Sequence, residues 1–164
     1  MMLITATVTN AADTFVSFKK GDAGFAIAKD GQVLSIAYDA QDHEGVRMAI
    51  ESLQADLKSV TGSAPTLNSQ PATLNAPCII IGSIQSSLIQ QLLKDGKLQK
   101  KELQGKREKY LLQVVDKPVS GVSQALVIAG SDKRGTIYGI YELSRQIGVS
   151  PWYWWADVPA RHQD

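Results

Sequence analysis

Asp132, Lys133 and Arg134 stand in a row after a short apolar run, Leu126–Ala129, and a Gly130–Ser131 break. A buried strand that feeds a helix through such a turn sets its charges at the strand's carboxyl end. Ligands of open α/β sheets gather there, so this turn is the better binding candidate of the chain. Structural roles are nevertheless the favoured account: Ser131 or Asp132 can cap the helix that starts near Arg134, with Asp132 as cap and Arg134 as an ion-pair partner the preferred assignment. Gly82–Ser83 repeats the arrangement after the aliphatic run Cys78–Ile81. Unpaired amide N–H groups at either turn could hold an anion. Neither turn carries a GxGxxG or a lysine-bearing phosphate loop, so glycine for the tight turn and serine for the cap is the expectation.

Other chemistry fares less well. His43–Glu44 looks like half of a metalloprotease motif, but position 47 is Arg, so the second histidine is missing. His162 lies far off in a polar tail, and Cys78 is the single cysteine, which leaves no metal site and no internal disulfide. Beside Ile79–Ile81 that cysteine reads as a small buried hydrophobe, because apolar burial works against a reactive thiolate. No GxSxG elbow is present. Glycoside hydrolysis needs two carboxylates flanking a sugar, and no acidic residue sits in an apolar sequence setting that would raise its pKa. No cofactor is expected. The segment from Lys94 to Lys109 holds seven Lys/Arg against Asp95, Glu102 and Glu108. Only Tyr110 borders it, without the interleaved aromatics of a nucleic-acid face, so it reads as solvated surface.

All three tryptophans fall in Trp152–Tyr153–Trp154–Trp155. They could cover a sheet end, stack on a sugar as in a carbohydrate-binding module, or form an apolar surface prepared for another domain. A patch this large rarely stays wet on a soluble monomer. A docking surface or linker that runs on through Asp157 is the preferred reading.

The elements that must hold these residues follow from periodicity. Strands are expected at Thr14–Phe18, Phe25–Ala28 and Val33–Tyr38, with a hairpin at Asp30–Gly31. Val46, Ile50, Leu53, Leu57 and Val60 keep helical spacing, with Asp42 as the expected N-cap, Glu44 in the first turn and Gly62 as the stop. Residues 63–77 read as a loop with one short extended piece. Cys78–Ile81 is a central strand stopped by Gly82–Ser83, and Ile84, Leu88, Leu92 and Leu93 draw a second helix closed at Asp95–Gly96. Tyr110–Val115 and Leu126–Ala129 are the last strands. Ile137, Ile140, Tyr141 and Ile147 form the stripe of a third helix, which Gly148 and Pro151 end. Adjacent strands with no helix between them exclude a purely parallel α/β sheet, so the expected class is α+β, a mixed sheet with helices packed on it.

The 164 residues, 44% hydrophobic and 20% charged, fit one globular domain, and a net charge of +1 steers the chain towards neither nucleic acid nor anionic lipid. No stretch is long and apolar enough to span a bilayer. Residues 1–12 end in a small-residue site at Thr9–Ala11 and read as the tail of a signal peptide, although the basic n-region is missing. An ordinary first strand is the competing reading.

The segments GSDKRGTIYGIYELS and GVSPWYWWADVP, together with weaker patterns from Phe15 onward, make the chain resemble the amino-terminal domain of glycoside hydrolase family 115, the xylan α-1,2-glucuronidases. A related arrangement precedes the barrels of β-hexosaminidases and family 67 α-glucuronidases. The resemblance implies an exported multidomain enzyme. Its catalytic barrel follows this domain and removes glucuronic or 4-O-methylglucuronic acid from xylan without a metal. The acid and base belong to the barrel, so no catalytic residue is carried onto this chain. On that view residues 13–155 are an accessory domain, and 156–164 are a linker towards a barrel that the sequence lacks. Trp152, Tyr153, Trp154, Trp155 and Asp157 are then the domain interface, and Asp132, Lys133 and Arg134 touch the pocket rim. The partners would be that barrel and glucuronoxylan, and the chain as it stands would be inactive. A stand-alone carbohydrate-binding module is the alternative.

Overall fold

The computed structural model describes residues 2–4, 16–17, 24–70 and 74–149. Trp152, Tyr153, Trp154, Trp155 and Asp157 lie outside them, as do Pro151, His162 and most of the segments 1–12 and 14–18. The described residues form two sheets. The smaller is antiparallel, in the order β2-β1-β3-β4, and comprises β1 (Met2–Ile4), β2 (Val16–Ser17), β3 (Phe25–Lys29) and β4 (Gln32–Val33). The β3–β4 turn is the expected one: Asp30 and Gly31 take φ of 51° and 76°, both left-handed as a two-residue hairpin requires.

The larger sheet has five strands, β5 (Ser35–Tyr38), β6 (Leu67–Asn68), β7 (Cys78–Ser83), β8 (Tyr110–Asp116) and β9 (Gln124–Gly130), in the order β6-β5-β7-β9-β8. Only β8 runs antiparallel to its neighbour. The α+β class and the mixed sheet are as expected. Two strand boundaries are not. Val33–Tyr38 is not one strand: the chain leaves the small sheet at Leu34, whose N–H donates to Ile27 O at 3.0 Å, and enters the large one where Ile36 N–H donates to Thr66 O at 2.8 Å. Gly82–Ser83 does not stop β7 but extends it, pairing with Ala129 and Gly130 of β9.

Helices cover both faces of the large sheet. Ile36, Ile79, Ile81, Leu126 and Ile128 point towards α1 (Glu44–Thr61) and α3 (Lys133–Gln146), while Ala37, Cys78, Ile80, Ala125 and Val127 point towards α2 (Ser87–Lys94). Helix α1 buries the expected Val46, Ile50, Leu53, Leu57 and Val60, each such side chain being worth about 1.5–3 kcal/mol when fully buried. Gly62 closes it at φ 79°. Cys78 is fully buried, and burial pushes its thiol up to about 11, in keeping with a core role.

The stripe expected on α3 is displaced. Tyr141 is 52% exposed and Ile137 half-buried, whereas Gly135, Thr136, Gly139, Ile140 and Leu143 are buried. The cause is close approach. A Cβ on Gly139 would stand 2.8 Å from Ile128 Cγ2 and 3.2 Å from Tyr110 Cβ, so the helix meets the sheet through bare backbone. Gly148, at φ 94°, ends α3 as expected, with Val149 N–H closing back to Ser144 O at 3.1 Å.

Asp56 corrects the expectation that no carboxylate is raised. Burial on α1 raises its pKa, opposed by the nearby Ser144 hydroxyl of α3. No hydrogen bond of ordinary geometry closes between them, since Ser144 Oγ is buried without a partner among the described residues. A raised folded-state pKa means that the native state holds the proton longer than the unfolded chain. The burial penalty is absent below the unfolded value and fully present above the folded one, so stability falls as pH rises through that window. Asp56→Asn is expected to flatten this slope and to raise the melting temperature at pH 7 more than at pH 4. Melting scans across that range check it.

Candidate functional site

Helices α1 and α3 lie on one face and α2 on the other, so the chain reverses its winding between β5 and β7 and again between β7 and β9. Crevices outside the carboxyl ends of strands at such reversals are where α/β sheets bind ligands. Because β8 runs the other way, its first residue, Tyr110, pairs with Gly130. The segment that leads into β8 therefore joins the loops after β5, β7 and β9 on one edge.

Two carboxylate clamps hold these loops. In the first, Asp39 accepts Gln41 N–H at 2.9 Å, Ser87 N–H at 2.8 Å and Ser87 Oγ–H at 2.6 Å. Beside it, Asp42 accepts His43 N–H at 2.8 Å, Ser83 N–H at 2.7 Å and Ser83 Oγ–H at 2.8 Å. The Ser87 hydroxyl is the main reason that the Asp39 carboxyl sits below its ordinary pKa. Asp42 is therefore not the N-cap of α1. His43 holds that position without a side-chain cap bond, because Asp42 is drawn across to β7 instead. Tyr38, Asp39, Asp42, His43 and Arg47 line a cleft beside these bonds.

The second clamp involves the candidate rim residues. Asp132 is the N-cap of α3 and accepts Gly135 N–H at 2.7 Å through one oxygen and Glu108 N–H at 2.8 Å through the other. Those two amides, Glu108 first, hold its carboxyl below the ordinary range. Ser131 adds two bonds to the same segment, the strap 106–109 that leads into β8: its Oγ accepts Lys109 N–H at 3.0 Å, and its N–H donates to Lys109 O at 2.8 Å. Arg134 pairs with Glu108 at 2.8 Å, and Lys109 with Glu102 at 3.0 Å. Lys133 is exposed, with no carboxylate within ion-pair distance among the described residues. Of the three candidates, Asp132 is thus turned into the fold, whereas Lys133 and Arg134 face solvent.

Chemically, the edge is braced. Asp42 holds the Ser83 amide at the end of β7, and Asp132 holds the Gly135 and Glu108 amides, so neither turn is an open cradle for an anion. The tight-turn-and-cap expectation is corrected in part: Gly82 and Gly130 are strand residues, and the caps are Ser86 for α2 and Asp132 for α3, in place of Ser83 and Ser131. Among the described residues no group of three or more His, Cys, Asp or Glu could hold a metal ion, and no helix is long and apolar enough to cross a membrane. Sequence reasoning missed Asp39, Ser87, Glu108 and Lys109. Their partners lie 22 to 48 residues away, and only the Asp39-x-x-Asp42 pair before a helix hinted at a clamp.

Removing the second clamp leaves the α3 cap and the strap amide to water. Asp132→Ala is expected to cost about 1–2 kcal/mol, the usual range for a lost N-cap. Urea unfolding measures it. The lowered folded pKa of Asp132 means that its contribution disappears as pH falls through that value, so the gap to wild type should narrow in acid.

Comparison with known proteins places this architecture. No curated protein sequence matches the chain. Among solved structures, a family GH115 4-O-methyl-α-glucuronidase with specificity for decorated arabinogalactans is 33% identical, with a TM-score of 0.62. The match covers 79% of this chain and 15% of that one, so the chain spans a small part of that enzyme's length. Residues 15–143 match the model of the glycosyl hydrolase family 67 N-terminus, taking in both clamps and nearly all of α3. The chain belongs to that family, as an N-terminal domain of α-glucuronidase type.

Proposed function

We propose that this chain is the non-catalytic N-terminal domain of an exported family 115 α-glucuronidase. The parent enzyme removes glucuronic or 4-O-methylglucuronic acid from a decorated polysaccharide such as xylan. The domain braces the catalytic barrel through Trp152, Tyr153, Trp154, Trp155 and Asp157, and it lends Lys133 and Arg134, oriented by Asp132, to the pocket rim. The carrying observation is the 33% identity over 79% of the chain to a family GH115 enzyme. The doubly clamped edge supports it, since rigid loops can present rim residues without being ordered by substrate.

The test has two arms. Reading the source coding frame beyond Asp164 is expected to show several hundred further residues of alternating strand and helix pattern. Glucuronoxylan and a glucuronate-decorated arabinogalactan are then incubated with the chain alone and with the complete polypeptide. Uronic acid is expected only from the complete polypeptide, and comparison of the two polysaccharides sets its preference. Release by the chain alone, or a stop codon directly after Asp164, would sink the reading. In the second case the carbohydrate-binding alternative becomes the one to pursue.

A further inference from the structure

The outward face of α3 carries four residues in line, Arg134, Tyr138, Tyr141 and Arg145, at the i, i+4, i+7, i+11 spacing of one helical stripe. At 1.5 Å per residue they span about 16 Å. Tyr138 is 40% and Tyr141 52% exposed, two of the three large hydrophobic side chains left open among the described residues. The arginines at the ends are fixed in place, Arg134 by Glu108 and Arg145 by two bonds to Glu142, at 2.9 and 2.6 Å. Beside the helix's first turn runs the strap 106–109, held against Gly135 by the Lys109 carbonyl. Lys106 and Arg107 on the strap, like Lys133 on the helix, are exposed and have no carboxylate within ion-pair distance among the described residues. The nearby acids Glu102, Glu108, Asp132 and Glu142 are all engaged. The surface is therefore a pair of exposed tyrosine side chains bordered by surplus positive charge.

We infer that this stripe is a binding surface for an acidic polysaccharide. Tyr138 and Tyr141 would take the apolar faces of successive sugar rings, and Lys133, Lys106 and Arg107 would pair with uronate carboxylates. A protein partner fits less well, because an interface core is depleted in charge, and here charged side chains bracket both tyrosines. The surface deepens the function proposed above, on which the choice of a uronate-bearing ligand rests. It shares Lys133 and Arg134 with the proposed pocket rim and extends from them along α3 to Arg145.

Native affinity electrophoresis of the whole chain through gels containing glucuronoxylan, or unsubstituted xylan, tests it. Retardation by glucuronoxylan, weakened at high salt as exposed charge pairing must be, is expected, with little retardation by the neutral chain. The double change Tyr138→Ala/Tyr141→Ala should raise the apparent Kd at least tenfold, and Lys133→Ala severalfold. Both alter exposed positions, and circular dichroism verifies the fold. Absence of retardation, equal retardation by neutral xylan, or retardation indifferent to the double change overturns the inference. If the complete polypeptide releases uronic acid while the chain is never retarded, the surface proposal falls alone. If the chain is retarded as described but no uronic acid is released, the enzymatic reading falls alone.

Discussion

Gly135→Val is expected to destabilise the domain by about 3 kcal/mol or more, at the upper end of what overpacking costs. A Cβ at this position would stand deep inside contact with the Lys109 carbonyl oxygen, and it would crowd Lys109 N at 3.0 Å as well. Both obstacles are backbone, pinned by Ser131 and Asp132, so no side chain can turn aside to make room. For a chain of this length each kcal/mol moves the melting temperature by about 2–4 °C, so a fall of about 6–12 °C is the expected reading. Gly148→Ala serves as the control. There the penalty is only that of a left-handed backbone in open space, about 1–2 kcal/mol. A Gly135→Val variant that melts no lower than the control would show that the strap yields and that the second clamp is soft.

Asp42→Ala is expected to cost about 2–4 kcal/mol. The change orphans Ser83 N–H and Oγ–H together, on a residue with no exposed surface, and each buried polar group left unpaired costs about 1–3 kcal/mol. Asp42→Asn should recover part of the loss, because an amide oxygen can still accept one of the two donors. The same variant separates the loop after β5 from the end of β7, so amide exchange should quicken at Ser83 and His43 before the core is affected. If exchange and melting both match the wild type, Asp42 is dispensable and α1 is anchored by its apolar face alone.

Most of the framework was legible where local pattern and tertiary environment agree. The apolar period of α1, the Asp30–Gly31 hairpin and the aliphatic run at Cys78 each state their structure within their own stretch of chain. Misreadings arose where the decisive partner is remote or carries no side chain. Hydrophobic period placed Tyr141 in the stripe of α3 because it cannot count Gly135 and Gly139 as contact residues, yet their missing Cβ atoms are what bring the helix onto the sheet. Glycine was also taken as a stop at Gly82, although a strand buried on both faces can continue through it when β9 supplies the ladder. Alternation from Val33 to Tyr38 could not reveal that its two ends pair with different sheets. The candidate site followed the same rule. Asp132 as a cap was readable from its own neighbours, whereas its second oxygen, bound to Glu108, was not.

The position of β9 bears on how the chain is made. It comes last of the strands in sequence yet lies between β7 and β8. During synthesis from the amino terminus, Cys78–Ser83 must wait for Gln124–Gly130 with one edge unpaired and its six residues, all buried in the finished fold, without their full cover. An aliphatic open edge of that kind is a template for pairing with another chain. A nascent chain paused before Gln124 is therefore at its most vulnerable to aggregation, and the arrival of one seven-residue strand closes the sheet and ends that exposure.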